Sequence, residues 1–340
     1  MKKVILALSL VLAFLIIGWF LERDHAAETE FLHPTTKYAL WAFAIGAVVT
    51  LSLPLGAIAG FVFKPNAKIT AIMTAFGAGA LLAALSVELI APTVEEIVGQ
   101  IKSPTHMDQG HSHAIETMGA LLIGCVAGGL LFYTLDEYLN SSGGFLRKVS
   151  TTISHLSKKH NATHIQAEMV EKAQEEHGKE HGGAPLAIWL GLLIDGIPES
   201  FVIGAGFLGL LSAKLAEGSS PAFTEVLPYT LIAGLFLSNF PEALSASLGM
   251  RKSGMSVSKI LWMWMSLVII TAIGALVGYY IGASIPHELE IGIEGLAAGA
   301  MLTMIAQTML PEAVHIGGTS IVGLSTLSGY LSAVAFKLFE

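Results

Sequence analysis

The chain is poor in charge. Only 13% of its 340 residues are Asp, Glu, Lys or Arg, against about a quarter in soluble domains. It holds one cysteine, Cys125, which excludes an internal disulfide and a cysteine-ligated metal cluster. Cys125 lies in an apolar run and is expected to be a small packing residue. Nothing resembles the phosphate loop GxxxxGK[ST], so ATP-driven work is not expected. No HExxH stands in an apolar run, which argues against an intramembrane metal-dependent hydrolase. No enzyme activity, prosthetic group or nucleic-acid partner is expected.

What the chain has instead is apolar length. Hydrophobic residues make up 53% and the mean hydropathy is +0.68. About 20 apolar residues suffice to cross the hydrocarbon core as a helix. Nine runs qualify, near 4–21, 38–63, 69–93, 116–135, 185–207, 224–248, 259–283, 292–310 and 319–338. The run "MKKVILALSLVLAFLIIGWFLE" starts basic like a signal peptide. It is long and no small-x-small cleavage site follows closely, so an uncleaved helix is favoured. With the N-terminus inside, thirteen of the 18 Lys and Arg fall on inner segments, as cytoplasmic loops prefer. Asn140 and Asn161 match the glycosylation pattern but lie on that inner side, so neither is expected to be used.

Two connectors hold eight of the 12 histidines. The outer one, 94–115, carries His106, His111 and His113. The inner one, 141–184, carries His155, His160, His164, His177 and His181. Such tracts suggest weak metal binding, although histidine is also tolerated in any solvated loop.

The sharper signal lies within the spans. "GLLIDGIPESFVIGAGF" places Asp195 and Glu199 four apart, on one helix face. Pro198 cannot donate a backbone hydrogen bond and pushes against the carbonyl of Ile194. "LFLSNFPEALSAS" repeats the pattern with Ser238, Asn239, Pro241 and Glu242. "IAQTMLPEAVH" does so again with Gln307, Pro311, Glu312 and His315. A mid-bilayer charge costs roughly 2.5–3.5 kcal/mol on the most lenient scale. Inert polar contacts between helices would explain these residues poorly, because the groups are mainly acceptors and no Lys or Arg lies in a nearby span. Such a cage needs a cation or protons. "AGALL" at 78–82 and "AGAML" at 298–302 open two spans that end near Pro92 and Pro311. Glu88 and Thr308 fall at matching distances, which is the pattern of an inverted repeat. Glu88 is then a candidate lining residue. Asp136 and Glu137, at the end of their span, are expected to be solvated.

On these residues the chain resembles the ZIP (Zrt/Irt-like protein) family of divalent metal transporters. "IPES" and "FPEA" match its fourth and fifth helices. "TAFGAGALLAALSVELIAP" is similar to its second helix, and "SLGMRKSGMSVSKILWMWMSLVIITAIGALVGYYIG" to its fifth loop and sixth helix. "GLAAGAMLTMIAQTMLPEA" is similar to its seventh, and a His-containing loop follows the third. The resemblance spans residues 38–338. It implies an all-α polytopic membrane protein with a ZIP-like eight-helix bundle, an inverted 3+2+3 repeat and one extra N-terminal helix. The domains would be 1–36, a membrane helix and linker, and 37–340, the transporter. The metal site would draw on Asp195, Glu199, Asn239 and Glu242, with Ser238, Glu88, Gln307 and Glu312 as further candidates. The passenger would be a divalent metal, the setting a plasma-membrane bilayer, and the assembly a homodimer.

The departures bear on selectivity. Asp195 stands where the family has a histidine, Gly196 an asparagine, Ser238 a histidine or glutamine, and Thr308 a carboxylate. Oxygen ligands suit manganese, iron(II) or magnesium better than imidazole does. Zinc is the family default; manganese and iron(II) are the alternatives. Fewer ligands also favour one metal where relatives hold two. The rival to transport is a metal-sensing membrane protein whose helix site is vestigial.

Overall fold

The structure is a computed structural model that describes residues 36–102, 107–139, 183–218, 220–252, 254–282 and 284–339. The N-terminal run at 4–21, His106 and nearly all of the 141–184 connector lie outside these residues. The described residues hold no strand, and eight of the helices are long and apolar enough to cross a membrane. The protein is an all-α, multi-pass integral membrane protein.

In chain order the helices are α1 (Thr36–Thr50), α2 (Ser52–Phe63), α3 (Ala67–Ala84), α4 (Ala91–Lys102), α5 (Met107–Leu139), α6 (Gly183–Ala216), α7 (Tyr229–Lys252), α8 (Val257–Gly282), α9 (His287–Met304), α10 (Leu310–Gly317) and α11 (Thr319–Ala335). The first span is α1 with α2, jointed at Leu51. The second joins α3 to α4 through a π-helical segment, Leu85–Ile90. The seventh joins α9 to α10 through another, Ile305–Met309. The remaining spans are α5, α6, α7, α8 and α11.

One expected boundary is corrected. Residues 94–102 continue the second span as α4, and α5 begins at Met107, so most of the supposed outer loop is helix. Val94, Ile97, Val98 and Ile101 recur at helical spacing and form a narrow apolar stripe on an otherwise solvated helix. Ile97 is buried. A reading by apolar length alone ends the span where that stripe narrows.

Both π segments precede a proline. Pro92 and Pro311 cannot donate to the carbonyls of Glu88 and Gln307, and an α-helix would drive their rings into those oxygens. Widening the turn by one residue relieves the clash. Ala91 N–H accordingly donates to Ser86 O, and Leu310 N–H to Ile305 O, five residues back in each case. Each π segment begins at the same distance after its AGAxL pentapeptide.

The repeat is written in the packing as well. A Cβ added to Gly79 would run into the Thr326 carbonyl oxygen, and one on Gly299 into that of Cys125. A Cβ on Gly329 would meet the Phe76 carbonyl, and one on Gly128 that of Leu296. Gly79 and Gly299 are separated by the same number of residues as Phe76 and Leu296; Cys125 and Thr326 by the same number as Gly128 and Gly329. The correspondence continues elsewhere. Gly56 abuts the carbonyl of Phe240 as Gly278 abuts that of Phe201, and Gly60 faces Leu244 as Gly282 faces Ala205. Spans one to three thus map onto six to eight, and span four onto five. An odd number of crossings separates each mapped pair, so the repeat is inverted.

The spans sort into two groups. α8 packs on α1 and α6, and α7 packs on α2; α5 pairs with α9, and α3 with α11. The groups meet where α7 crosses α3 and α6 crosses α9. Within the first group, the Trp264 indole N–H donates to Ser247 Oγ at 2.7 Å, both side chains being fully buried. Replacing Ser247 by alanine leaves that donor unpaired, which costs about 1–3 kcal/mol. Thermal unfolding in detergent should show the lowered midpoint.

Candidate functional site

α6 and α7 are the spans by which the first group meets the second, and each carries its proline inside the helix, Pro198 and Pro241. The glutamate following each proline turns to the same space. Glu199 and Glu242, with Asn239, line one cavity of about 20 Å³. That is room for a single water or bare cation. Thr50 and Leu53 from the first span, Leu192 and Gly196 from α6, Leu267 and Thr271 from α8, and Met304 from α9 complete the wall. Glu199 is buried and Asn239 nearly so, while Glu242 is half-buried. Both glutamates make further polar or electrostatic contacts.

The acceptors therefore converge: two carboxylates and an amide oxygen, with threonine hydroxyls beside them. Hard divalent cations take carboxylate and carbonyl oxygens, whereas the Met304 thioether favours softer ones. The donor set fits one partly dehydrated divalent cation.

The other sequence candidates lie elsewhere. Asp195 is in α6 one turn before Glu199, and its side chain is outside the described residues. Ser238 is buried and donates to Met309 Sδ at 3.9 Å, away from the cavity. Glu88 accepts from Lys337 Nζ at 3.0 Å. Gln307 donates through Nε2 to Asp136 Oδ2 at 3.3 Å. Glu312 is half-buried in α10 and is not among the cavity residues. Asp136, expected to be solvated, is only 6% exposed. The reason is that α5 lies tightly along α9, so its last turn is covered by the seventh span.

Thr50, Thr271 and Met304 were not foreseen. Single hydroxyls and thioethers in apolar helices carry no pattern, and only the packing brings them to the cavity.

A second crevice, also about 20 Å³, adjoins the first at Glu199. Its walls are Leu131, Phe132 and Leu135 of α5, Pro198 of α6, and Ala300, Met301 and Met304 of α9. Glu199 and Met304 thus border both spaces.

A separate group sits where α5 and α9 begin. The ligand atoms of His113, Glu116 and Glu288 all lie within 4.8 Å of one another, and all three residues are exposed. Beside them, His287 Nε2 is 2.8 Å from Glu96 Oε1 and its Nδ1 is 3.7 Å from Glu290 Oε2. Carboxylates in a first helical turn are favoured by the helix dipole alone, which accounts for Glu288 and Glu290. The imidazole of His113 adds a metal-ligating nitrogen.

No model of a known protein family matches the chain, and comparison with curated proteins gives no match.

Proposed function

We propose that the protein carries divalent metal cations across a membrane, as its resemblance to the ZIP family implies. The observation that supports this most is the shared cavity of Glu199, Asn239 and Glu242. A buried carboxylate and a half-buried one within apolar helices are costly unless paired or ligating. A cation that sheds its water there has its hydration shell replaced by Glu199, Asn239 and Glu242, with Asp195 one turn away on the same helix. Zinc is the family default, and the oxygen-rich donor set extends the range to manganese and iron(II).

The inverted repeat supports the mode of movement. Two groups of spans, each built from two halves that the repeat relates within it, give alternating access when one rocks or slides against the other. The cavity belongs almost wholly to the first group, with Met304 contributed by the second. Binding has to stay weak enough for release. With no nucleotide loop, transport runs down gradients. In the orientation set by the Lys and Arg distribution, the His113–Glu116–Glu288 group faces outward and serves as a first stop for arriving ions.

The test is flux. Purified protein in liposomes loaded with a metal-sensitive dye should admit zinc or manganese, without any chemical conversion. A metal sensor would bind ions and pass none. Replacing His113 by alanine should raise the ion concentration needed for half-maximal uptake about threefold to tenfold, on the scale of one weak, exposed ligand. The maximal rate should stay unchanged in the same assay.

A further inference from the structure

The two groups of spans meet at two crossings, which the repeat relates and Met304 sets apart. The spacing that maps Gly79 on Gly299 maps Ala84 on Met304, and each is the last residue before its π segment. The spacing that maps Phe201 on Phe240 maps Asp195 on Gly234. Where α3 crosses α7, a Cβ added to Gly234 would meet the Ala84 Cβ at 2.5 Å and the Ala80 carbonyl oxygen at 2.8 Å. Backbone lies against backbone there, and no room is left for an ion. Where α6 crosses α9, the corresponding places are Asp195 and Met304, and both spaces at Glu199 border this crossing. The cavity thus stands where the repeat is broken by a long side chain in place of a methyl group.

That side chain brings a particular chemistry. The donors in the cavity wall are the oxygens of Thr50, Thr271, Glu199, Asn239 and Glu242, and the sulfur of Met304. Such oxygens suit the hard ions magnesium and calcium as well as manganese, so they alone do not reject the hard ions. A thioether is polarisable and suits softer cations. Met304 is only 3% exposed. Among the described residues no hydroxyl or N–H donates to its sulfur, whereas the Met309 sulfur, in the π segment that follows, accepts from Ser238. An unbranched side chain with three rotatable bonds turns its sulfur to the cavity without any movement of the backbone.

We propose that Met304 is the specificity-determining residue of the central site, its thioether a soft ligand that favours zinc and other soft or borderline divalent cations over magnesium and calcium. This rests on the carrier reading above and adds one ligand to its oxygens. Met304 belongs to the second group of spans, whereas the oxygen donors belong to the first. The metal–sulfur contact therefore holds only while the groups stand as they do here, and their relative movement removes it. Selection and release share one side chain.

The test is competition for manganese uptake into liposomes by cadmium, a soft probe, and by magnesium, a hard one. Uptake reads the path itself rather than the loop histidines. Met304→Leu keeps the apolar volume and removes the sulfur; Met304→Gln keeps the length and offers an oxygen. The ratio of half-inhibiting concentrations, magnesium over cadmium, should fall at least about tenfold in both variants, the scale on which even a group that only orients a metal ligand acts. A packing role predicts the wild-type ratio, whether or not uptake itself falls, and that result overturns the proposal. A second readout needs no transport. Full-length protein labelled with selenomethionine and given one equivalent of cadmium should show a selenium neighbour in X-ray absorption at the cadmium edge, and Met304→Leu should lose it. A cadmium shell without selenium overturns the proposal as well. Glu199→Gln separates the two readings. If it leaves uptake intact, the central-site reading fails; if it abolishes uptake while Met304→Leu keeps the wild-type ratio, only the role of Met304 fails.

Discussion

Glu199→Gln and Glu242→Gln should each cut divalent-cation uptake by roughly 100-fold or more. Groups that merely orient metal ligands are worth about 10–100-fold in affinity, and these two supply the charge itself. The cavity holds about 20 Å³ and, among the described residues, only two carboxylates, Glu199 and Glu242, border it, so either substitution halves the negative charge on its wall. Glutamine keeps the volume and one oxygen, which separates the loss of charge from a packing defect. The variants should fold as well as the parent or better, because a buried carboxylate is itself costly without its cation. Uptake in liposomes and thermal midpoints in detergent, measured on the same preparations, check both halves. Full uptake by Glu199→Gln would place the path elsewhere.

The second large effect is on stability. Gly79→Ala and Gly329→Ala put a methyl group against the backbone oxygens of Thr326 and Phe76, and backbone cannot rotate away. Overpacking of this kind costs about 1–3 kcal/mol per site, and the two sites share one helix pair, so the double variant should not assemble normally. Gly299→Ala and Gly128→Ala should match them site for site, because the repeat gives them the same contacts with Cys125 and Leu296. Gly323→Ala is the control. It lies in the same α11, but no heavy atom would approach its Cβ within 4 Å, and its midpoint should hold or rise slightly. Thermal unfolding of all five proteins in one detergent makes the comparison. Unequal costs at Gly79 and Gly299 would contradict the equivalence.

The eight spans at 38–338 were legible because apolar length at this scale has few other meanings. So was the central pair, since Pro198–Glu199 and Pro241–Glu242 stand out against apolar neighbours. The AGAxL pentapeptides pointed to the repeat. Its proof needed the register of backbone contacts at Gly79, Gly299, Gly128 and Gly329, which no motif announces. The π segments escaped notice because a proline in a helical pattern does not say whether the chain kinks, breaks or widens its turn. α4 was lost to the loop because its apolar stripe, Val94, Ile97, Val98 and Ile101, runs along a helix whose other faces are polar. Glu88 and Gln307 resembled cavity ligands by their spacing, yet each is turned to a partner on a neighbouring helix end, Lys337 or Asp136. Asp136 was misjudged for the converse reason. A charge at the end of a hydrophobic run is normally wet, and only the close pairing of α5 with α9 buries it.

The central claim is that Glu199, Asn239 and Glu242 hold a cation between them. Anomalous scattering from crystals of the full chain grown with manganese or zinc tests it most directly. The account predicts one strong peak in the cavity between α6 and α7, within coordination distance of both carboxylates, and its disappearance in Glu199→Gln/Glu242→Gln. An empty cavity in saturating metal, or a peak that persists in the double variant, would contradict it.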